Sequence, residues 1–227
     1  MTDSMMMPEG WGVLHLFCKL RSGADGQAVT AAVKAATEGD HQVVPVAMFG
    51  HKADVGFMAM GPDLWRLRGL QRDLQAAGLE IVDSYVSITE ISEYASGVPE
   101  PMRQARLYPI FPPENMPAYC FYPMGKRRIE GANWYRLSFD ERLELMHEHG
   151  KSGRNFAGRI VQLITGSTGL DDYEWGVSLF GRSPIDIKDC VYTMRFDLAS
   201  ARYADFGPFY SGLVAPLDEV LAHVGLA

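Results

Sequence analysis

Residues 118–166 bring four chemically useful kinds of side chain into one stretch. They are a phenol at Tyr122, a basic run at 126–128, an imidazole at His149 and an amide at Gln162. An imidazole nitrogen can ligate iron, and cationic side chains can bind the carboxylates of a porphyrin. The combination therefore indicates a haem site, although the spacing alone does not locate the iron.

Two histidines lie in this stretch, and helical periodicity separates them. When residues 139–149 are wound at about 100° per residue, His149 falls within the apolar arc of Phe139, Leu143 and Met146. His147 lies on the opposite, acidic side and is typical of a solvated surface histidine. A histidine on an apolar face is more often a hydrogen-bonded core residue than a metal ligand, so periodicity leaves both interpretations of His149 open.

The helix that carries these histidines has recognisable ends. Ser138 and Glu141 have the spacing of a capping box, in which each side chain accepts a hydrogen bond from the other residue's backbone N–H. Gly150 suits the left-handed conformation that ends many helices. The pattern therefore predicts a helix over 139–149.

The phenol and the amide are predicted to lie on strands. Tyr122 would share one strand face with Cys120 and Met124, where it could face a ligand cavity or be a core tyrosine. Gln162 alternates with two isoleucines, which predicts an amide buried among aliphatic side chains. A buried amide needs hydrogen-bond partners.

Composition and charge restrict the class of protein. The chain has 227 residues, 47% of them hydrophobic, and a net charge of −7, so we expect a globular protein that does not bind nucleic acid. Three widely spaced cysteines are predicted to be buried thiols rather than a disulfide framework. We find no signal-peptide pattern and no run of about 18 apolar residues, which predicts a cytoplasmic protein with no membrane segment.

The pattern of elements occurs twice along the chain. The first copy predicts strands at 10–20, 43–49, 55–60 and 80–91 and helices at 24–39 and 62–77. A proline-rich connector at 94–117 follows. The second copy predicts strands at 118–124, 159–165, 173–180 and 206–213 and helices at 139–149 and 184–197, before a short C-terminal helix. Two β-α-β-β-α-β units predict an α+β fold with halves at 1–105 and 106–227.

Several long sequence segments are specific enough to indicate a family. FYPMGKRR, LMHEHGKSGR, QLITGSTGLDDYEWGVSLF and VYTMRFDLASARYADFGPFYSG occur in this order between about residues 118 and 213. They resemble the coproheme decarboxylases, the haem-synthesising branch of the chlorite dismutase-like family. The resemblance implies two ferredoxin-like halves that form a dimeric α+β barrel, a homopentamer, and transient contact with the ferrochelatase that supplies the substrate.

The resemblance also implies roles for single residues. His149, in the HG motif, is the proximal iron ligand, and its other ring nitrogen needs an acceptor that the sequence does not identify. Tyr122, in the YPM motif, is the redox-active residue. Gln162 could bind peroxide or a propionate, and it stands where chlorite dismutases have an arginine, which argues against chlorite degradation.

Four positions match residues that bind the propionates of the porphyrin: Arg106, Lys126, Arg195 and Ser200. Arginine suits bidentate carboxylate binding, and lysine acts as a flexible point charge. The alternative for Arg195 is a structural ion pair with Asp197 or another acid.

The implied reaction converts iron coproporphyrin III (coproheme) to haem b by two oxidative decarboxylations, each using one hydrogen peroxide. Peroxide oxidises the iron of the substrate, the oxidising equivalent moves to Tyr122, and the tyrosyl radical removes a β-hydrogen from a propionate, which leaves carbon dioxide and a vinyl group. The porphyrin is thus substrate and redox cofactor. The alternatives are a chlorite-degrading or general haem peroxidase, a non-catalytic haem-binding protein, and a haem-free barrel in which His149 is packed.

Overall fold

The computed structural model describes residues 5–95 and 97–226. The first half of the chain contains β1 (Gly12–Leu20), α1 (Gly26–Ala36), β2 (Gln42–Met48), β3 (Val55–Gly61), α2 (Leu64–Ala76) and β4 (Leu79–Thr89). The connector contains α3 (Glu100–Leu107). The second half contains β5 (Ala118–Lys126), β6 (Arg128–Ile129), β7 (Ala132–Asn133), α4 (Phe139–Arg154), β8 (Ile160–Gly166), β9 (Trp175–Gly181), α5 (Pro184–Met194), α6 (Leu198–Tyr203), β10 (Ala204–Phe206), β11 (Tyr210–Val214) and α7 (Leu217–His223).

The main nine-stranded sheet closes on itself, because β5 pairs with β9 as well as with β11. The first half has the strand order β2-β3-β1-β4 and the second half has the order β11-β5-β9-β8. The pairs β4–β8 and β2–β11 join the two halves into an antiparallel barrel. The predicted α+β class and the repeated element order are confirmed. The predicted boundary between residues 105 and 106 falls within α3 and stays a prediction.

The barrel is filled by large side chains from both halves. Val13, His15 and Phe17, which alternate along β1 and so share one face, are all buried. The ring of Phe17 lies 5.6 Å from that of Phe121 in the other half. Helices α1, α2 and α7 cover the outer sheet face of the first half, and α5 covers part of the outer face of the second half. Each strand therefore has one face inside the barrel and one face toward the helices or solvent.

Helix α4 is longer and less buried than predicted. Its capping box at Ser138 and Glu141 is confirmed. The predicted end at Gly150 is wrong, because Gly150 keeps helical geometry and the helix continues to Arg154. The chain takes a positive φ at Gly158 instead, after the helix has ended. None of the sixteen residues of α4 is fully buried. Met146 packs in part against the cluster of Trp134, Ala199 and Tyr203, while Phe139 stays 43% exposed, so the apolar arc is only partly covered.

Three further boundaries differ from the prediction. The proline-rich connector contains α3, which begins directly after Pro99. The predicted helix at 184–197 ends at Met194, and Asp197 begins the separate helix α6 by accepting the backbone N–H of Ser200. The predicted strand at 206–213 is two strands, β10 and β11, separated by residues 207–209.

Two expectations from composition concern the cysteines and membrane segments. All three cysteines are free and buried, as predicted. Across residues 5–95 and 97–226, every helix is too short or too polar to span a lipid bilayer.

Candidate functional site

The phenol and the amide lie on one outward face of the barrel. In the β5–β9–β8 sheet, Tyr122 lies opposite Val177, and Val177 lies opposite Ile164. Gln162 is two residues from Ile164 on β8 and therefore points to the same side. Tyr122 and Gln162 thus share this surface, which we call the outer site face, and both point away from the barrel interior.

Tyr122 lies in an aromatic pocket on the outer site face. Its ring stacks on Phe209 at 4.5 Å and lies 5.8 Å from the ring of Phe206. Burial raises the pKa of Tyr122, and the nearby Arg195 partly opposes that rise. The guanidinium carbon of Arg195 lies 4.0 Å from the centre of the Phe206 ring. The phenol is therefore neutral near pH 7 and lies close to a fixed cation.

Gln162 is exposed, so the prediction of a buried amide is wrong. Its neighbour Ile164 is also 45% exposed, although an aliphatic side chain on a sheet normally packs against something. The amide of Gln162 makes no hydrogen bond to the described residues. The outer site face therefore presents an apolar surface with an available amide, which suits a flat ligand with a polar centre.

His149 is fixed by a buried carboxylate. Its Nδ1 lies 3.1 Å from Oδ2 of Asp197, whose side chain is 1% exposed, while the imidazole is 30% exposed. The predicted surface position of His147 is confirmed, since that residue is exposed. The two histidines of α4 therefore have different surroundings, and His149 is the one held in a fixed orientation.

The carboxylate determines the tautomer of His149. An ionised carboxylate accepts hydrogen bonds but cannot donate them, so Nδ1 of His149 must carry the proton that it shares with Asp197. Nε2 of the neutral ring then has a free lone pair, and no described residue donates to it. A neutral imidazole with its Nδ1–H held by a carboxylate is the arrangement that prepares Nε2 to ligate a metal.

Asp197 accepts more than one hydrogen bond. The Ser200 backbone N–H lies 3.0 Å from its Oδ1, and the Ser200 hydroxyl lies 3.1 Å from its Oδ2. Three donors, including that of His149, therefore satisfy the oxygens of this buried side chain. The hydroxyl of Ser200, predicted to bind a propionate, is used here to hold Asp197.

Lys126 is buried beside this acid. Its ammonium group donates to the carbonyl of Ala199 at 3.1 Å and lies 4.2 Å from the ring centre of Trp134. Burial lowers the pKa of Lys126 to about 8, and the charge of Asp197 partly opposes that change. Lys126, which was predicted to bind a propionate, is therefore buried beside Asp197, the partner of His149, rather than on the exposed surface.

Comparisons with known proteins identify the family of this chain. The family model described as chlorite dismutase matches residues 23–215. The chain belongs to the chlorite dismutase family. It is 41% identical to the coproheme decarboxylase of Staphylococcus carnosus, over 94% of each chain.

Solved structures give the same result for the fold. A haem-binding protein from Thermus thermophilus is 36% identical, with a TM-score of 0.87 over 96% of each chain. A mutant chlorite dismutase from Candidatus Nitrospira defluvii is 19% identical, with a TM-score of 0.76 over 96% of this chain and 97% of the other. The second likeness supports the chlorite dismutase fold alone.

The four residues predicted to bind the propionates do not all lie together in this member of the chlorite dismutase family. Arg195 and Ser200 line one cavity together with Arg127. No described ion pair joins Arg195 to Asp197, which was the alternative predicted for it. Arg106 is exposed in the last turn of α3, and no described contact joins it to the other predicted residues.

The sequence did not indicate Asp197 as the partner of His149. The two residues are 48 positions apart, on α4 and at the start of α6. Phe206 and Phe209, which surround Tyr122, were also not selected. The segment RFDLAS does indicate the start of a helix, because an aspartate is a favoured N-cap residue. Nothing local indicates that this cap also accepts from a histidine.

Proposed function

We propose that this chain is a coproheme decarboxylase, which converts iron coproporphyrin III to haem b with hydrogen peroxide as the oxidant. The observation that carries the proposal is the occurrence of two suitable groups. Nε2 of His149, oriented by Asp197, is available to ligate iron, and the neutral phenol of Tyr122 on the outer site face is available for oxidation. The 41% identity to a coproheme decarboxylase over 94% of the chain supports it.

The surroundings of His149 fit an iron porphyrin. His149 offers a single neutral nitrogen, which suits a metal whose remaining in-plane ligands come with the substrate. The apolar arc of α4 and the exposed Ile164 give apolar surfaces that a flat macrocycle could cover. Gln162 offers an amide that can orient peroxide but is a poor proton acceptor.

Tyr122 is the proposed radical residue. Each decarboxylation consumes one peroxide, one proton and one propionate, and it produces two waters, one carbon dioxide and one vinyl group. Tyr122 removes one hydrogen atom from the β-carbon of the propionate and becomes a phenol again. Its aromatic neighbours Phe206 and Phe209 contain no O–H or N–H group, so neither can give a hydrogen atom to the Tyr122 radical in place of the propionate.

The propionates are proposed to bind to Arg106, Lys126, Arg195 and Ser200. The cavity lined by Arg195, Ser200 and Arg127 supports this for one edge of the porphyrin. Lys126 would have to give up its bond to Ala199 to reach a carboxylate. The homopentamer, the ferrochelatase contact, the cytoplasmic location and the division at residue 105 are proposals that rest on the resemblance and the sequence pattern.

The proposal is tested by adding ferric coproheme and then peroxide and measuring the mass of the porphyrin. We expect loss of two formic-acid equivalents. An intact bound porphyrin would indicate a non-catalytic haem-binding protein, and no binding would indicate a haem-free barrel.

Tyr122→Phe tests the radical residue separately. The ring and its packing remain, so coproheme affinity should change by no more than about 1 kcal/mol, whereas haem b formation should stop. Tyr135→Phe is the matched control, because it makes the same substitution at another tyrosine of the second half, one that is 47% exposed. Haem b formation at the wild-type rate by Tyr122→Phe would rule out the assignment.

A further inference from the structure

Tyr210 and Asp83 form a hydrogen-bonded pair inside the barrel. Tyr210 is buried on β11, and its hydroxyl donates to Oδ2 of Asp83 on β4 at 2.5 Å. The other oxygen of Asp83 accepts the backbone N–H of Ser84 at 2.8 Å, which fixes the carboxylate. A phenol that donates to a fixed carboxylate can lose an electron and its proton together, because the acceptor for the proton is already in place.

This pair is linked to Tyr122 through one neighbouring residue. Phe209, whose ring stacks on Tyr122 at 4.5 Å with 22° between the planes, precedes Tyr210 in the chain. Lys52 donates to the carbonyl of Phe209 at 2.7 Å and holds the peptide that joins the two aromatic residues. On the inner side of the sheet, the ring of Tyr210 stacks on Phe17 at 3.7 Å. Aromatic rings therefore continue from the outer site face into the barrel.

We propose that Tyr210 and Asp83 form an electron source that reduces a Tyr122 radical when no propionate hydrogen is available. This inference rests on the proposed function, which supplies the radical. Tyr210 gives one electron to Tyr122 and its O–H proton to Asp83, while the reduced oxygen of Tyr122 takes one proton from solvent. The products are the Tyr122 phenol, a Tyr210 radical and protonated Asp83. A one-electron donor such as ascorbate then reduces Tyr210, which recovers its proton from Asp83.

The other tyrosines inside the barrel differ from Tyr210 in their acceptors. The hydroxyl of Tyr85 is hydrogen-bonded to Ser167 and donates to the carbonyl of Tyr173 at 3.2 Å. The hydroxyl of Tyr119 is hydrogen-bonded to that of Ser178. A hydroxyl and a carbonyl are far weaker bases than a carboxylate and do not retain the proton of an oxidised phenol. Asp83 is only partly buried, so its proton can exchange with solvent. Tyr210 is thus the interior tyrosine with the chemistry of an electron source.

The experiment uses full-length protein loaded with ferric coproheme and given excess peroxide. Tyr210→Phe removes the O–H and keeps the ring, and Asp83→Asn keeps an acceptor but removes the base. Tyr85→Phe is the matched control, since it removes another buried phenol from the same interior. Freeze-quenched electron paramagnetic resonance records the tyrosyl radicals, and the number of peroxide equivalents consumed before the porphyrin is bleached records the protection.

In the wild type, we expect a first tyrosyl signal that gives way to a second one. Tyr210→Phe should lose the second signal and bleach after about threefold fewer equivalents of peroxide, while the rate of its first decarboxylation is unchanged. Asp83→Asn should weaken the second signal, and Tyr85→Phe should behave as the wild type. If Asp83→Asn does not fold, Tyr210→Phe alone decides.

Two outcomes would contradict the inference, and they are distinguishable. Formation of haem b by Tyr210→Phe with the same second signal and the same tolerance of peroxide as the wild type would overturn the electron source and leave the decarboxylase activity standing. Failure of the wild type to form haem b would overturn both proposals.

Discussion

Asp197 controls His149 in two ways at the scale of single residues. The hydrogen bond to Nδ1 fixes the tautomer and the ring orientation, and the negative charge strengthens Nε2 as a metal ligand. Ser200 also donates to this carboxylate, and Lys126 is buried nearby. The histidine, the acid and the lysine therefore form one packed unit.

Replacing His149 should remove the iron ligand without unfolding the protein. The imidazole is 30% exposed and lies in the last turns of a surface helix, so His149→Ala leaves only a small cavity. We expect loss of the iron–histidine signal in resonance Raman spectra of the haem complex, with the signal unchanged in the exposed control His147→Ala. The opposite result would show that His147 is the ligand.

Replacing Asp197 by asparagine should weaken the ligand without removing it. The single amide oxygen of asparagine can still accept the Nδ1–H, but its NH2 group then takes the place of the oxygen that caps α6, and the charge is lost. Loss of such an outer partner costs about tenfold or more in metal affinity, so ferric haem should bind about tenfold more weakly. The iron–histidine stretching frequency should also fall.

Asp205→Asn is the matched control for Asp197→Asn, because Asp205 is an exposed acid on the wall of the nearby cavity. An equal loss of affinity in both variants would mean that overall charge matters and that the contact with His149 does not.

At the scale of elements, α4 contains a glycine that its geometry does not require. Gly150 is helical, and a Cβ there would meet only the guanidinium of Arg154, at 3.7 Å. Gly150→Ala should therefore stabilise the porphyrin-free protein by about 0.5–1 kcal/mol, since alanine is the better helix former. Thermal unfolding measures the difference.

Gly158 provides the contrasting case for the same measurement. Its φ of +76° is disfavoured for residues with a Cβ, although the space beside it is open. Gly158→Ala should destabilise the protein by about 1 kcal/mol. If Gly150→Ala lowered the melting temperature as much as Gly158→Ala does, the helical geometry at Gly150 would be wrong.

Local patterns identified the elements, and their failures have physical causes. Ser138 and Glu141 interact within one turn, so the start of α4 could be predicted. The connector contains α3 because proline is tolerated in the first turn of a helix, where its missing N–H has no partner to lose. Asp197 was missed because its contact with His149 depends on how α4 and α6 pack. The alternation of side chains along the sequence placed Tyr122 and Gln162 correctly on strands, but it did not reveal that Gln162 is exposed.

At the scale of the whole molecule, closure of the barrel brings polar groups from the two halves together inside it. Nε2 of His15 on β1 lies 2.9 Å from the hydroxyl of Ser178 on β9. The ring of His15 stacks on Phe121 at 4.1 Å, and Phe121 is the residue before Tyr122 on β5. The packing of this one histidine therefore connects the first half of the chain to the strands that carry the outer site face.

His15 should make the stability of the whole barrel depend on pH. It is 1% exposed, its Nδ1 has no hydrogen-bond partner among the described residues, and burial lowers its pKa from 6.5 to about 3. Between these values the unfolded chain binds a proton at His15 and the folded chain does not. Stability is therefore complete above about pH 6.5 and is lost as the pH falls, by about 1.4 kcal/mol per pH unit until about pH 3.

The prediction is tested by urea unfolding of the wild type and His15→Gln at pH 7 and pH 5. Carboxylates also contribute to the pH dependence, but they do so in both proteins, so the difference between the two isolates His15. We expect the wild type to lose about 2 kcal/mol more than His15→Gln over this range. His147→Gln is the matched control, because it makes the same substitution at an exposed histidine. An equal loss in the wild type and His15→Gln would mean that the folded barrel accepts a proton at His15, and that its interior is therefore open to water.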